Sequence, residues 1–326
     1  MKRFFRNFTS LLITGILLFL LISACGRVIE RQPTEPQDIE AKPEITNCRV
    51  VQHTMGEICI PHNLERVVTL RPDHFFNCLA LDIRPIAFPF IDGILLPEEI
   101  QADIEGVESV GNLDSPNVEK ILQLQPDLII SNSRLDAIYD QLSQIAPTVV
   151  FDVPKPPLLW KEELAQLAQA LNKEAESQQL MDNYWQRIEE LKQALGARRN
   201  DIEVSFAGTA SGTGIWAYGK QHPVSDILHD IGLQRPPTQR DDVYYVDNIS
   251  AETLTDIDGD VIFFTSWART VDRDALEMIT QKPLWQKLKA VQQQQAYIVD
   301  TYWHNAGNIV AINLVLDDLF KYLANG

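Results

Sequence analysis

The chain has 326 residues, 45% of them apolar, which is enough for two ordinary domains with real cores. Forty-five acidic residues against 28 basic ones leave a formal charge of -17. That balance removes any general attraction for nucleic acid, and an anionic ligand would need a local arginine cluster working against the overall field.

Lys2, Arg3 and Arg6 precede an apolar run from Leu11 to Ile22. The run is too short to span a bilayer and reads as the hydrophobic region of a signal peptide over residues 1–24. It ends in Leu21-Ile22-Ser23-Ala24-Cys25, which resembles a bacterial lipobox with Cys25 as the acylated residue. Residues 25–47, with Pro33, Pro36 and Pro43 among polar neighbours, read as a flexible tether. A lipid on Cys25 followed by a leash predicts a soluble body on the outward face of the cell membrane, where disulfides form. Cys48 and Cys59 flank Met55-Gly56-Glu57, a hairpin turn, and are expected to pair across it; two reduced thiols are the alternative. Cys78 falls in a helical pattern and is expected to be a buried thiol.

Short apolar runs read as strands at 66–70, 128–131, 148–152, 203–207, 261–266 and 297–300, with helical patterns between them. That alternation predicts an α/β fold with parallel sheets. An internal match divides the body in two. Residues 119–130, Glu-Lys-Ile-Leu-Gln-Leu-Gln-Pro-Asp-Leu-Ile-Ile, align without gaps on 252–263, Glu-Thr-Leu-Thr-Asp-Ile-Asp-Gly-Asp-Val-Ile-Phe. A weaker echo joins Leu81-Asp82-Ile83 to His229-Asp230-Ile231. Two copies this far apart predict an N-terminal lobe over 48–153 and a similar C-terminal lobe over 198–326. Between them, residues 154–197 read as a connecting helix, with apolar residues at helical spacing from Trp160 to Leu195. A stiff connector of this kind predicts rocking by a few degrees rather than large closure.

In open α/β sheets ligands sit beyond the carboxyl ends of the strands, so the residues that follow each run are the candidates. They are Arg71, Arg134, Trp216 with Tyr218, Trp267 with Arg269, and Tyr302, Trp303 and His304. The loop 240–245 adds Arg240, Tyr244 and Tyr245. Aromatic and arginine side chains on facing lobes suit a bulky, oxygen-rich anionic ligand held by charge-assisted hydrogen bonds and stacking.

An enzymatic reading finds less support. Gly208-Thr-Ala-Ser211-Gly lacks nucleophile-elbow spacing, and the glycine run has no phosphate-loop lysine; it reads as a flexible binding loop. The six histidines form no zinc-ligand spacing.

Together these segments resemble the substrate-binding proteins of iron–siderophore and vitamin B12 ABC importers. The match runs from Arg66 to the C-terminus through Arg66-Val-Val-Thr-Leu, Leu79-Ala-Leu-Asp-Ile-Arg-Pro-Ile, Val110-Gly-Asn-Leu-Asp-Ser-Pro-Asn-Val-Glu119, Leu142-Ser-Gln-Ile-Ala-Pro-Thr-Val, Ile249-Ser-Ala-Glu252 and Pro283-Leu-Trp-Gln-Lys-Leu. The resemblance implies two Rossmann-like lobes joined by one long backbone helix, the class III substrate-binding arrangement. It implies no enzyme activity and no cofactor, with a ferric siderophore or ferric citrate-type chelate as ligand. Cobalamin or haem is the alternative, with Tyr244 or Tyr245 as axial ligand to haem, and a ligand-presenting sensor is the alternative role. The implied partner is an ABC permease dimer with its ATPase subunits, met by a monomer through one glutamate on each lobe. The matching positions are Glu119 and Glu252, expected to follow helix caps at Ser115 and Ser250. The chelator is expected to fill the iron's coordination shell, with His304 and Tyr302 as the alternative direct ligands.

Overall fold

The computed structural model describes residues 48–90, 101–153, 160–210, 214–250, 252–266 and 273–324. Residues 1–24, the tether, Cys25, Trp267 and Arg269 lie outside the described residues, as do 211–213 of the glycine run.

Strands β1 (Cys48–His53) and β2 (Gly56–Pro61) form an antiparallel hairpin, and Cys48 and Cys59 are disulfide-bonded across it with Cα atoms 5.5 Å apart. The hairpin is fastened to the body: Thr54 N–H donates to the Val150 carbonyl, and the Arg49 guanidinium donates to the Gln169 and Ala170 carbonyls. Those two carbonyls end a helix, where unpaired acceptors and the dipole favour a cation.

The N-terminal sheet is parallel throughout, in the order β5-β4-β3-β6-β7. Its strands are β3 (Val67–Thr69), β4 (Ala87–Phe88), β5 (Glu108–Ser109), β6 (Leu128–Asn132) and β7 (Thr148–Phe151). Helices α1 (Pro72–Ala80), α2 (Val118–Leu124) and α3 (Tyr139–Ile145) connect them. Both faces are covered, which explains why β3 and β6 read as unbroken apolar runs.

The linking segment is helical in two pieces, α4 (Trp160–Leu171) and the long α5 (Glu174–Leu195). Asn172 separates them at φ 58°, a left-handed conformation that asparagine tolerates. At 22 residues, α5 is about 33 Å long.

The C-terminal sheet has the order β10-β9-β8-β11-β12. Strands β8 (Val204–Ala210), β11 (Val261–Ser266) and β12 (Ala296–Ile298) are parallel, while β9 (Gly214–Tyr218) is antiparallel to both β8 and β10 (Tyr245–Ile249). The glycine run is therefore largely strand: β8 continues to Ala210 and β9 resumes at Gly214. Gly208 serves close packing, because a Cβ there would lie 3.0 Å from the Trp216 ring. The remaining helices are α6 (Pro223–Ile231), α7 (Arg273–Thr280), α8 (Lys289–Gln292) and α9 (Ile309–Leu319).

One buried cluster joins the two lobes. Val67, Leu128 and Ile130 from the first sheet and Val204, Phe206 and Phe263 from the second pack with α4, α5 and α9 in a single core. Helix α9 also reaches back to the first lobe, where Ile309 N–H donates to Asn77 Oδ1 at 3.0 Å. The connecting segment is thus reinforced by a second crossing that the sequence pattern does not reveal. Cys78 is buried in this core, and burial pushes its thiol pKa up.

The internal match has a structural reason. Asp127 Oδ2 accepts from the backbone N–H groups of Glu65 and Arg66, at 2.6 and 2.8 Å, just before β3. Asp260 Oδ2 accepts from Glu203 N–H at 2.8 Å, just before β8. Each aspartate ties the start of its own strand to the start of the neighbouring central strand. The weaker echo is two residues out of register. Asp82 (φ 60°) corresponds to Gly232 (φ 87°), with Ile83 N–H bonded to the Cys78 carbonyl and Leu233 N–H to that of Leu228. Both helices end in the same left-handed cap.

Candidate ligand site

The sequence-selected residues divide into those the fold brings to the space between strand ends and those it does not. Arg71 follows β3, and its guanidinium is held by two carboxylates: Asp73 Oδ2 at 2.8 Å in the first turn of α1, and Glu163 Oε1 at 2.9 Å in the first turn of α4. Burial opposes the Arg71 charge, but the two carboxylates outweigh it and its pKa is raised. Burial, aided by Asp73, pushes the Glu163 carboxyl up against the pull of Arg71.

The second lobe closes on this cluster. Asn308, the cap of α9, donates to Asp73 Oδ1 at 3.3 Å, and a Cβ on Gly307 would lie 2.8 Å from the same oxygen. Tyr244 lies within electrostatic reach of Asp73, Arg71 and Glu163, and its phenol pKa is raised first by burial. His74, fully buried beside Phe151, has its pKa lowered well below 6.5, first by burial and then by Arg71.

The second lobe also carries a neutral hydrogen-bonded relay. The Tyr218 hydroxyl is 2.5 Å from His304 Nδ1, and the Trp216 indole hydrogen-bonds the Tyr218 oxygen. Burial lowers the His304 pKa to about 4. Since the imidazole is neutral at pH 7, Tyr218 can donate to Nδ1, leaving the His304 proton on Nε2. Behind it, His222 Nδ1 accepts from Val224 N–H at 3.2 Å, so its Nε2–H donates to the His304 carbonyl, also at 3.2 Å. Tyr218 is fully buried, so it supports His304 and Trp216 instead of meeting a ligand.

Three further site expectations are corrected. Trp303 is fully buried, stacked on Phe263 at 4.3 Å with its indole N–H donating to Asp318 Oδ2 at 2.8 Å; it belongs to the core. The Tyr302 hydroxyl donates to the same oxygen at 2.7 Å, and the side chain is buried with Trp303 rather than presented as an iron ligand. Arg240 pairs with Glu203 at 2.7 Å, at the amino end of β8, and not at a strand exit. Arg134 is exposed after β6, and Tyr245 is 50% exposed.

Sequence reasoning passed over Glu163, one acid among 45 inside an amphipathic helix. It also passed over Arg235, a buried arginine whose guanidinium donates to the Tyr218 carbonyl at 2.6 Å and to Ser225 and Gln239. Burial lowers the Arg235 pKa to about 9, and the residue buttresses the strand that carries the relay.

Glu119 and Glu252 are both exposed on the side of their lobes where the strands end. Asn117, not Ser115, caps α2, with Oδ1 accepting from Lys120 N–H at 2.9 Å. Ser250 does cap its turn, its hydroxyl accepting from Glu252 and Thr253 N–H groups at 3.2 Å.

Two α/β lobes around a shared core, carrying arginine and aromatic side chains among the strand-end candidates, form an arrangement suited to holding a solute. The model of the periplasmic binding protein family matches residues 96–302. The chain is 32% identical, over 96% of its length and 97% of the relative's, to a Bacillus subtilis protein described as a "probable siderophore-binding lipoprotein", YfiY. Staphylococcus aureus SirA, in a crystal structure complexed with staphyloferrin B, superimposes with a TM-score of 0.70 at 26% identity, covering 84% of this chain and 98% of SirA. FeuA of Bacillus subtilis, complexed with ferri-bacillibactin, shares the fold at a TM-score of 0.69 and 22% identity, covering 85% of this chain and 99% of FeuA. The chain belongs to the periplasmic binding protein family. It is a substrate-binding protein of the class III architecture, not an enzyme.

Proposed function

We propose that this protein captures a ferric siderophore outside the cytoplasmic membrane and delivers it to an ABC importer. The observation that carries the reading is the 32% identity to a siderophore-binding lipoprotein relative along almost the whole of both chains. The site agrees with it chemically. Arg71 and Arg134 from one lobe, and Trp216, Tyr244, Tyr245 and His304 from the other, offer hydrogen-bond donors and aromatic faces to a large oxygen-rich complex. Trp267 and Arg269 belong to the same proposed lining.

The remaining parts follow from the same reading. Cys25 carries the lipid and residues 25–47 form the leash that holds the body at the membrane. Among the described residues no helix is long and apolar enough to cross a membrane. A monomer meets a permease dimer served by ATPase subunits, Glu119 and Glu252 each docking on one permease subunit. With the core shared between lobes, binding proceeds with rocking of a few degrees. The neutral His304, bonded to Tyr218 at Nδ1, meets the chelator as a donor and leaves the iron to the chelate.

The test is intrinsic tryptophan fluorescence of the purified protein titrated with ferric chelates, cobalamin and haem. Trp216, half-buried beside the relay, is the expected reporter. Saturable quenching by a ferric chelate, weakened in Trp216→Phe, is the expected result. A response to cobalamin or haem alone would overturn the siderophore reading.

A further inference from the structure

Helix α4 carries a lysine where a helix least favours one. Lys161 is its second residue, and the positive end of the helix dipole opposes a cation there, whereas Glu162 and Glu163 suit it. The ammonium is compensated from the second lobe. Asp226 and Asp230, one turn apart on α6, lie 2.8 and 2.5 Å from Lys161 Nζ. The Tyr184 hydroxyl of α5 donates to Asp230 Oδ2, and the rings of Trp160, Tyr184 and Trp185 are 5.6, 5.3 and 4.9 Å from the ammonium.

Two residues further on, Glu163 serves the first lobe. At 3.6 residues per turn the two side chains leave α4 about 200° apart, on opposite sides of the helix. Glu163 Oε1 accepts from Arg71 at 2.9 Å, and Arg71 also holds Asp73. No member of these ion pairs has a side chain more than 22% exposed, so separating one leaves a charge poorly solvated. Each arm ends beside a candidate ligand residue. The first ends on Arg71 itself. The second ends on α6, whose cap, His222, donates from its ring to the His304 carbonyl at 3.2 Å.

We infer that the first turn of α4 is a brace between the lobes. Glu163 holds the first lobe through Arg71, Lys161 holds the second through Asp226 and Asp230, and the two act as positioning residues for Arg71 and His304. The arms are in series: parting the lobes breaks only the weaker one, and a lobe already released gains nothing from release of the other. The brace does not depend on which solute the site takes, so its failure would leave the siderophore reading untouched.

A second crossing supplies the reporter. Ile309 N–H donates to Asn77 Oδ1 at 3.0 Å. Ile309 opens α9, so its N–H has no partner within the helix, and its protection depends on the contact between lobes. The experiment is amide hydrogen exchange of the full chain, read at Ile309 and in β11, a core strand that opens on global unfolding. Ile309 should exchange faster than β11 in the wild type. Glu163→Gln and Lys161→Met should each speed Ile309 about 10-fold, the loss of one charged hydrogen bond, and the double variant should also be about 10-fold faster. Where Lys161→Met alone does not fold, Lys161→Met with Asp226→Asn removes the leftover repulsion and gives the same reading. Three results overturn the inference. A double variant about 100-fold faster would make the arms independent staples. Faster exchange in β11 with Ile309 unchanged would mean that the ion pairs survive parting of the lobes. Equal rates at Ile309 and β11 in the wild type would mean that the lobes do not part short of unfolding.

Discussion

The two lobes agree at the amino ends of their strands and diverge in their candidate ligand residues. At the amino ends, Asp127 and Asp260 do the same job, each accepting backbone N–H groups from the start of the neighbouring strand. Elsewhere, the first lobe carries the charged cluster of Arg71 and Asp73, joined by Glu163 of α4, and the second a neutral chain from Trp216 and Tyr218 of β9 to His304. The repeated fold is specified where chain meets chain in the same way in both halves. The side chains of the cluster and of the neutral chain can vary without disturbing those amino-end contacts.

The sharpest test of the symmetric part concerns Glu119 and Glu252, which occupy matching positions in the two repeats and are both exposed. The double replacement by alanine should leave ligand affinity intact and abolish uptake in cells, measured with radiolabelled iron. The single variants then tell whether both lobes contribute equally. Unimpaired uptake in the double variant would remove the docking role and leave these acids as residues of two helix-like turns.

The relay and the charged cluster are separated by pH. His304 in the folded protein takes a proton only near pH 4, against an ordinary value of 6.5. As pH falls from about 6.5 to about 4, the unfolded chain binds a proton that the folded one refuses, so stability falls across that window and the His304 contribution levels off below it. A shift of this size corresponds to roughly 3 kcal/mol as an upper figure. His74 and His222, both buried with pKa values lowered well below 6.5, first by burial, add to the same trend. In urea unfolding at pH 7 and pH 4.5, His304→Asn should lose about 2 kcal/mol less than wild type between the two conditions. Equal losses would mean that His304 titrates normally and that the relay is not neutral by burial.

How much of this was visible in the sequence follows the same division. Strands β3, β6, β7, β8 and β11 are buried on both faces and show as apolar runs. Strands β4 and β5, of two residues each, leave no pattern, and β9 was hidden by a glycine run that reads as a loop. Gly208 lies in that run because the Trp216 ring packs against its backbone, a reason no local pattern carries. Among the candidates chosen by the strand-end rule, Trp303 and Tyr302 lie in the core instead. Both turn inward because Asp318, 15 residues further on in α9, accepts from both side chains. Arg240 failed for another reason: an arginine in a loop between helix and strand can serve either end of the sheet, and Glu203 holds it at the far one.

The smallest effect expected is also the one that most directly tests the repeat. Asp127→Ala removes the acceptor of two backbone N–H groups, those of Glu65 and Arg66, whereas Asp260→Ala removes the acceptor of one, that of Glu203, together with an ion pair to Lys289. The Lys289 side chain is more than half exposed, so its pairing contributes little. The backbone donors decide the outcome: a hydrogen bond to a charged acceptor is worth more than a neutral one, and a stranded donor costs about 1–3 kcal/mol if it stays dry. Partial access to water reduces both figures, giving about 2 kcal/mol for Asp127→Ala and about 1 kcal/mol for Asp260→Ala. Asn at either position keeps an acceptor of nearly the same shape and should recover about half of each loss. The check is the urea midpoint of the four variants at pH 7, with the slope of the transition held constant. If Asp260→Ala proves the more damaging, the two aspartates are equivalent in sequence only, and the second lobe draws its stability from the Lys289 pairing after all.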